Sequence, residues 1–189
     1  MKIDKLWNGL KRIANGDYVL EGDLISEETI EIDLDDRFVV RGRIQTKKNI
    51  VAGCGIEAGK GIKAGCGIEA GCGIEAGCGI EAGYGIKAGY GIKAGCGIEA
   101  GCGIEAGCGI EAGCGIEAGC GIEAGYGIKA GWGIKAKKFI DVKKRIFAGI
   151  SIYRTSKDCD KTIRCAELRN GEICYGDLTL TKEAKPDEG

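Results

Sequence analysis

Isoleucine recurs at every sixth position through the middle of the chain, and this period carries the fold prediction. Residues 52–135 form 14 consecutive hexads that read Ala-Gly-x-Gly-Ile-Glu/Lys, and Ala, both Gly and Ile are the same in all 14. The apolar Ile and the small Ala flank one charged residue, which is the two-residue alternation of a half-buried strand. Glycine at two positions in six excludes a stable α-helix. Each hexad is therefore predicted to form one short strand and one corner.

Repeats of a short fixed period are typical of solenoids, in which each repeat stacks on its neighbours. Three six-residue faces make an 18-residue coil, and parallel coils stack about 4.8 Å apart, as strands do in a sheet. The fold class is therefore predicted to be an all-β parallel β-solenoid. The Ile period continues to Ile152 and runs backward through Phe38 to Ile32, so roughly six to seven coils are expected. Charge alternation fits a 12-residue coil about as well, so it does not decide the coil length.

The N-terminal part differs from the array and is predicted to cap it. In residues 1–16 the segment DKLWNGLKRIA places five apolar residues along one helical stripe, so an N-terminal capping helix is expected there. Residues 17–51 are interpreted as irregular first strands and coils, and residues 17–36 contain nine Asp or Glu and no Lys or Arg. The stripe consists of Leu6, Trp7, Leu10, Ile13 and Ala14.

The C-terminal part is predicted to close the other end. Residues 136–153 are interpreted as a degenerate last coil. Residues 154–189 are predicted to form a C-terminal β-hairpin cap and a disordered tail, because Asn170-Gly171 is a hairpin turn signal between two strand-like segments. The stretch 135–145 is basic, so the acidic and basic runs are expected at opposite ends of the rod. They are interpreted as solvated ends, with the steering of a partner as the alternative.

Position x of the hexad holds Cys nine times, Tyr three times, Trp once and Lys once, and Glu follows every Cys whereas Lys follows the others. Strict alternation would place x in the core, where Cys is a normal small filler. If Gly-x-Gly forms the corner, x points outward and only Ile and Ala line the interior. We favour the corner, because an unpaired Lys60 ammonium is costly in a narrow core and Trp132 would overpack it.

Composition narrows the function classes. The 189 residues carry a net charge of −1, which gives no general attraction to nucleic acid or anionic membranes. The first residues contain no segment typical of a secretory signal, and no run approaches the roughly 18 apolar residues of a membrane span. A cytoplasmic location is therefore expected, with all 12 cysteines as reduced thiols. The lack of histidine excludes imidazole bases and His-ligated zinc, so no enzyme activity and no cofactor are expected.

The phrase Ile-Glu-Ala-Gly-Cys-Gly resembles the hexapeptide repeat of the left-handed β-helix acyltransferases. Those enzymes, and the related γ-type carbonic anhydrases, rely on histidine, so this resemblance implies a fold and no activity. Over the whole chain, the strands that lead through VRGRIQTKKNIVAG into the array resemble the bactofilin-type polymer-forming β-solenoids. That resemblance implies end-to-end assembly into filaments, although the predicted caps and the lack of a Pro-rich tail depart from the pattern.

A 42-residue duplication bears on function. Residues 52–93 and 94–135 differ at only three positions. Because 42 is not a multiple of 18, the second copy is rotated by one face. Rotation by one face would not rebuild a binding or catalytic site that needs several residues at fixed positions. It does preserve a surface that repeats from coil to coil. The chain is therefore predicted to be a non-catalytic solenoid that binds a protein partner through charged and aromatic faces. An inhibitor or decoy from a phage or mobile element would be one protein of this kind.

The candidate partner-binding residues are the aromatic residues at position x. In an 18-residue coil only Tyr90 and Tyr126 fall on one edge, two coils apart, so nucleic-acid bases find no continuous stacking platform. Two alternatives stay open: a self-assembling, homo-oligomeric rod, and a binder of soft metals on stacked thiolates. The cysteine spacing is C-x5-C, and no metal-binding residues are assigned. The aromatic candidates are Tyr84, Tyr90, Tyr126 and Trp132.

Overall fold

The Ile and Ala side chains of every hexad point into the interior of a parallel β-solenoid. The computed structural model describes residues 1–150 and 160–181, and this part contains strands and no helix. Most strands stack in three columns, here called face 1, face 2 and face 3 in the order in which one coil visits them.

The strands of the three faces have the following bounds. Face 1 contains β3 (Tyr18–Leu20), β6 (Phe38–Val40), β9 (Ile56–Ala58), β12 (Ile74–Ala76), β15 (Ile92–Ala94), β18 (Ile110–Ala112) and β21 (Ile128–Ala130). Face 2 contains β4 (Leu24–Ser26), β7 (Ile44–Thr46), β10 (Ile62–Ala64), β13 (Ile80–Ala82), β16 (Ile98–Ala100), β19 (Ile116–Ala118), β22 (Ile134–Ala136), β24 (Thr162–Cys165) and β26 (Asp177–Leu180). Face 3 contains β1 (Lys2–Ile3), β5 (Ile30–Ile32), β8 (Ile50–Ala52), β11 (Ile68–Ala70), β14 (Ile86–Ala88), β17 (Ile104–Ala106) and β20 (Ile122–Ala124). The longer strands β23 (Phe139–Ala148) and β25 (Glu167–Tyr175) each cross from face 3 to face 1, and β2 (Leu10–Arg12) pairs with β3.

Strand pairing in the array is in register and joins each hexad to the third hexad after it. On face 1, Ile74 pairs with Ile92, and Ile92 pairs with Ile110. This register confirms the 18-residue coil and excludes the 12-residue one. The nine strands of face 2 correspond to nine levels of the stack in the described part. The stack is longer than predicted, because coils before residue 32 and after residue 160 continue it.

The core is a column of stacked Ile and Ala side chains. Every Ile of the hexads is at most 2% exposed and every Ala at most 5%. Removing one Ile side chain from water stabilises the fold by about 1.5–3 kcal/mol. The alternation of a large and a small residue along each strand lets three strands share one narrow interior, which is the reason for the invariant pattern.

The first coil is longer than the coils of the array and shifts the predicted Ile column. Phe38 pairs with Tyr18, and Ile50 pairs with Ile30, so each pairing spans a longer stretch of chain than a pairing in the array. Ile30 therefore lies in the Ile column, and Ile32, which was predicted there, pairs with Ala52 in the Ala column. The additional chain lies in the corner before Phe38, and counting by sixes cannot detect this insertion.

The predicted N-terminal capping helix over residues 1–16 is wrong. Lys2–Ile3 and Leu10–Arg12 are short strands, and Gly9 between them has a φ of 101°. Of the predicted apolar stripe, Leu6 is 93% exposed, whereas Trp7 and Leu10 pack against the core. The physical reason is the open edge of the first coil, whose backbone groups need strand partners. A helix satisfies most of its backbone groups internally and cannot extend a strand ladder.

The predicted C-terminal hairpin at Asn170-Gly171 is also wrong. One strand, Glu167–Tyr175, runs straight through this dipeptide and pairs in parallel with β23. Gly171 has a φ of 120°, and the register shifts beside it, so the dipeptide forms a bulge. Parallel pairing with the preceding coil overrides the local turn signal. Ile152, residues 154–159 and the predicted disordered tail after residue 181 lie outside the described residues.

From the second hexad of the array onward, the first glycine of each hexad is required by a close approach between coils. No glycine of the array has a positive φ, so backbone conformation is not the reason. A Cβ atom added at Gly101 would overlap the carbonyl oxygen of Gly83, one coil earlier. At the second glycine of the same hexad, Gly103, the nearest atom to an added Cβ is the carbonyl oxygen of Gly121 at 3.5 Å, an ordinary contact. The two glycines therefore differ in purpose.

We expect Gly101→Ala and Gly103→Ala to have opposite effects on stability. The first forces two coils apart and should lower the free energy of unfolding by about 1–3 kcal/mol or more, as overpacking does. The second fits without strain and should be neutral or stabilise by about 0.4–1 kcal/mol through the unfolded chain. Urea denaturation of both variants measures the difference. Equal destabilisation would contradict the close-approach explanation.

Candidate interaction surface

The x residues of the hexads form three columns along the corners. From Lys60 onward, the amide of each x residue donates a hydrogen bond to the carbonyl of the equivalent residue one coil earlier, for example Tyr90 to Cys72 at 3.1 Å. Corner 1, which precedes face 1, contains Cys54, Cys72, Tyr90, Cys108, Tyr126 and Lys144. Corner 2, which precedes face 2, contains Lys60, Cys78, Cys96, Cys114 and Trp132. Corner 3, which precedes face 3, contains Lys48, Cys66, Tyr84, Cys102, Cys120 and Lys138.

The four aromatic candidates all point outward from these corners. The exposed fraction is 62% for Tyr84, 62% for Tyr90, 58% for Tyr126 and 37% for Trp132. The corner interpretation of Gly-x-Gly is therefore confirmed, and only Ile and Ala line the interior of the array.

The structure brings two of the four candidates together and separates the other two. Tyr90 and Tyr126 lie on corner 1 with only Cys108 between them, which places them about 9.6 Å apart along the axis. The ammonium of Lys144, one coil further, lies 3.8 Å from the centre of the Tyr126 ring, a cation–π contact. Tyr84 and Trp132 lie on the other two corners, so they share no surface with this pair.

The outer row of face 1 carries charges that compensate one another. Glu57 pairs with Arg37 at 2.8 Å, Glu75 with Lys93 at 3.2 Å, and Glu111 with Lys129 at 2.9 Å. Every glutamate of this row thus has a cation beside it. In register, the row consists of Val39, Glu57, Glu75, Lys93, Glu111, Lys129 and Phe147.

The outer rows of faces 2 and 3 contain runs of like charge. On face 2 three glutamates follow one another, and on face 3 two glutamates are followed by an aspartate. Within the described residues, the central members Glu99 and Glu123 form no ion pair, whereas the cations of these rows pair at the run ends, as Lys135 does with Glu117 at 2.6 Å. The runs are Glu81, Glu99, Glu117 and Glu105, Glu123, Asp141.

A groove runs along face 1 between corner 1 and the outer row. Its volume is about 1030 Å³, against about 690 Å³ on face 2 and 570 Å³ on face 3. The second glycines of five stacked hexads and the isoleucines that follow them line its floor. Tyr126 stands on one wall, and Phe147 closes the C-terminal end. The sequence analysis did not identify Phe147 and Lys144 as candidates. Phe147 lies one coil after Lys129, and Lys144 lies one coil after Tyr126, so the coil length would have located both.

The acidic run 17–36 is not a free patch. Seven of its nine carboxylates pair with cations of the neighbouring coils; for example, Asp17 pairs with Arg37 at 2.8 Å. Hydrogen bonding to Arg37 lowers the pKa of Asp17. The seven carboxylates are those of Asp17, Asp23, Glu27, Glu28, Asp33, Asp35 and Asp36. The acidic end therefore offers little unpaired charge for steering a partner.

Among residues 1–150 and 160–181, no group of three or more Cys, Asp or Glu side chains converges on a point that could hold a metal ion. No helix in the same part of the chain is long and apolar enough to cross a membrane. All 11 cysteines in the described ranges have free thiols.

Comparison of the chain with protein-family models, with curated proteins and with solved structures gives no match. The resemblance to bactofilin-type proteins and to hexapeptide-repeat enzymes therefore rests on the repeat. The structure itself shows a parallel β-solenoid with 18-residue coils.

We expect Asp35 to contribute acid-sensitive stability. Its carboxylate accepts hydrogen bonds from the Lys5 ammonium at 2.8 Å and the Tyr18 hydroxyl at 2.9 Å, and these contacts lower its pKa from 3.8 to about 2. A lowered pKa means that the stabilisation is complete above the ordinary value of 3.8 and is lost as the pH falls towards 2. Thermal unfolding of wild type and Asp35→Asn should therefore differ at pH 6 and converge near pH 2.

The matched control for this prediction is Glu21→Gln. Glu21 is exposed and forms no ion pair within the described ranges. This variant should follow the wild-type pH profile throughout. A wild-type advantage over Asp35→Asn that persists unchanged at pH 2 would contradict the assignment.

Proposed function

We propose that the protein is a non-catalytic β-solenoid that binds a protein partner along face 1, in the groove beside corner 1. The observation that carries the proposal is the placement of Tyr90 and Tyr126 together on corner 1, beside the groove that Tyr126 and Phe147 line. Tyrosine is among the residues that dominate binding energy in protein interfaces, because it buries a large rigid ring and keeps a polar end.

Charge favours a protein partner over nucleic acid. The glutamates of face 1 are already paired within the chain, so a partner that covers them does not bury an uncompensated charge. Faces 2 and 3 present consecutive carboxylates, for instance around Glu99, which repel phosphates. Among the three faces, face 1 is therefore the one that can be desolvated at the lowest cost.

Binding without chemistry is consistent with the rest of the chain. The sequence has no histidine, and the aromatic edge carries no nucleophile paired with a base. Free thiols suit a reducing compartment, so a cytoplasmic location belongs to the proposal. A rod that occupies a partner's surface without acting on it would serve as an inhibitor or decoy, and this is the functional class that we propose.

The test compares capture of a partner by variants at matched positions. Tyr90→Ser and Tyr126→Ser remove the paired rings, whereas Tyr84→Ser removes a ring of equal exposure, 62%, from another corner. Each variant is immobilised and exposed to extract of the native host. We expect one captured protein to be lost with Tyr90→Ser and with Tyr126→Ser, each costing about 2 kcal/mol or more. Tyr84→Ser should retain it. Equal capture by all variants would contradict the proposal.

Coil deletions test the spacing of the two rings. Deleting residues 94–111 removes one whole coil in phase and brings Tyr90 and Tyr126 onto neighbouring coils. Deleting residues 60–77 removes the same length and leaves their interval unchanged. Both chains should fold with the same far-ultraviolet spectrum, and only the first should lose the partner. Loss of binding in both would indicate that rod length, not the tyrosine pair, is recognised.

A second candidate function, a self-assembling rod, is favoured by the ends of face 2. Among the described residues, the stack of face 2 ends in β4 on one side and in β26 on the other, and each of these strands pairs with one other strand there. Leu178 and Leu180 of β26 are 40% and 59% exposed at this edge. Open edge strands with apolar side chains are templates for pairing with another chain.

Light scattering distinguishes the rod from a discrete binding protein. If edges join copies, wild type should give particles whose mass grows with concentration, and the double variant Leu178→Lys with Leu180→Lys should give monomers. Leu6→Lys is the control, because Leu6 is 93% exposed outside any strand. A wild type that stays monomeric at high concentration would remove this second candidate.

A further inference from the structure

Corner 2 contains three consecutive cysteines on neighbouring coils. The amide of Cys96 donates to the carbonyl of Cys78 at 3.0 Å, and the amide of Cys114 donates to the carbonyl of Cys96 at 3.0 Å. Cys78 and Cys96 are exposed and Cys114 is half-buried. The three thiols are therefore stacked along one outward edge, at the strand spacing of about 4.8 Å.

Two of the other array cysteines have no thiol neighbour and provide internal controls. Cys66 lies between Lys48 and Tyr84, and Cys108 lies between Tyr90 and Tyr126, so neither has a thiol on an adjacent coil. Two further pairs of neighbouring cysteines lie on corners 1 and 3. These pairs are Cys54 with Cys72, and Cys102 with Cys120. Corner 2 is thus the one array corner with three thiols in sequence.

Spacing decides which chemistry suits stacked thiols. A disulfide needs Cβ atoms about 3.5–4.5 Å apart, mean about 3.8 Å, whereas in-register strands hold equivalent atoms near about 4.8 Å. A tetrahedral zinc site needs four converging ligands, and in the described ranges not even three acidic or thiol groups converge. Two sulfurs on opposite sides of one cation, each about 2.3 Å from it, are separated by about 4.6 Å. A two-coordinate cation therefore matches the ladder.

The electrostatic surroundings fit a soft cation that displaces protons. Burial and the neighbouring thiols of Cys114 and Cys78 raise the pKa of Cys96, which favours the protonated Cys96 thiol in the metal-free protein. Lys60 occupies the next rung, where its carbonyl accepts a hydrogen bond from the amide of Cys78 at 3.0 Å. Its ammonium forms no ion pair in the described ranges, and it compensates the negative charge that two thiolates leave around a monovalent cation.

We propose that Cys78, Cys96 and Cys114 form a binding site for a two-coordinate soft monovalent cation of the Cu(I) class. Thiolates select Cu(I) among the available metals because both partners are soft. On binding, two S–H bonds break, two S–Cu bonds form and two protons leave to solvent, and the oxidation state of copper does not change. Affinity therefore rises with pH. Cys96 is shared by both possible pairs, and Cys78 and Cys114 are about 9.6 Å apart, too far for one cation.

The test is a Cu(I) titration of the full-length, reduced chain against a chromophoric Cu(I) chelator under anaerobic conditions. Relative to wild type, Cys96→Ser should lose one equivalent of tightly bound Cu(I), because it interrupts both pairs. Cys78→Ser should keep that equivalent on Cys96 and Cys114. Cys108→Ser is the matched control, because its cysteine has the same place in the hexad and aromatic neighbours on both sides; it should bind as wild type does. X-ray absorption should show two sulfur ligands per copper.

A second measurement on the wild type does not depend on the folding of a variant. Bound Cu(I) should protect the thiols of corner 2 from alkylation while Cys66 and Cys108 react at the rate of the metal-free protein, as measured by peptide mass spectrometry. Equal losses of copper in Cys96→Ser and Cys108→Ser, or equal protection of all cysteines, would overturn the proposal. So would a coordination number of three or more in the wild type.

Discussion

The close approach between the first glycine of a hexad and the carbonyl of the preceding coil is the constraint on which the structure depends. Only a residue without a Cβ atom leaves room for that oxygen, as Gly101 does for Gly83. The approach lets the hydrogen-bond ladder continue through the corner, where the amide of Cys102 reaches the carbonyl of Tyr84 at 2.8 Å. Because the ladder is unbroken, strands and corners of the array pair with their counterparts three hexads away, as Ile74 does with Ile92 and Cys102 with Tyr84.

Because the coil length is fixed at three hexads, the repetitive sequence produces three corners that carry different residues. Tyr84 of the first block corresponds to Tyr126 of the second block. Tyr84 lies on corner 3, whereas Tyr126 lies on corner 1 together with Tyr90. The same step brings Cys96 and Cys114 above Cys78 on corner 2. The aromatic pair and the thiol ladder thus both arise from the rotation between the two blocks. A duplication by a whole number of coils would have repeated each edge without combining them.

At the ends of the stack, pairing with the neighbouring coil overrides local sequence signals. The apolar stripe from Leu6 to Ala14 and the Asn170-Gly171 dipeptide carry strong local signals for a helix and a hairpin. Both are overridden, because the first and last coils expose backbone groups that only added strands can pair. Contacts with the neighbouring coil also determine the surroundings of the acidic residues before the array. These residues lie one coil away from Lys and Arg side chains and pair with them, as Glu27 does with Lys47.

The amino-acid sequence by itself determined the parallel solenoid, the 18-residue coil, the inward Ile and Ala, and the shared edge of Tyr90 and Tyr126. These features repeat in every hexad, so each is specified many times by residues close in sequence. Only the tertiary structure decided the longer first coil, the strands that replace the predicted helix and hairpin, and the Phe147 end of the groove. Those features occur once, and each depends on which backbone or side chain the neighbouring coil presents, information that no local pattern contains.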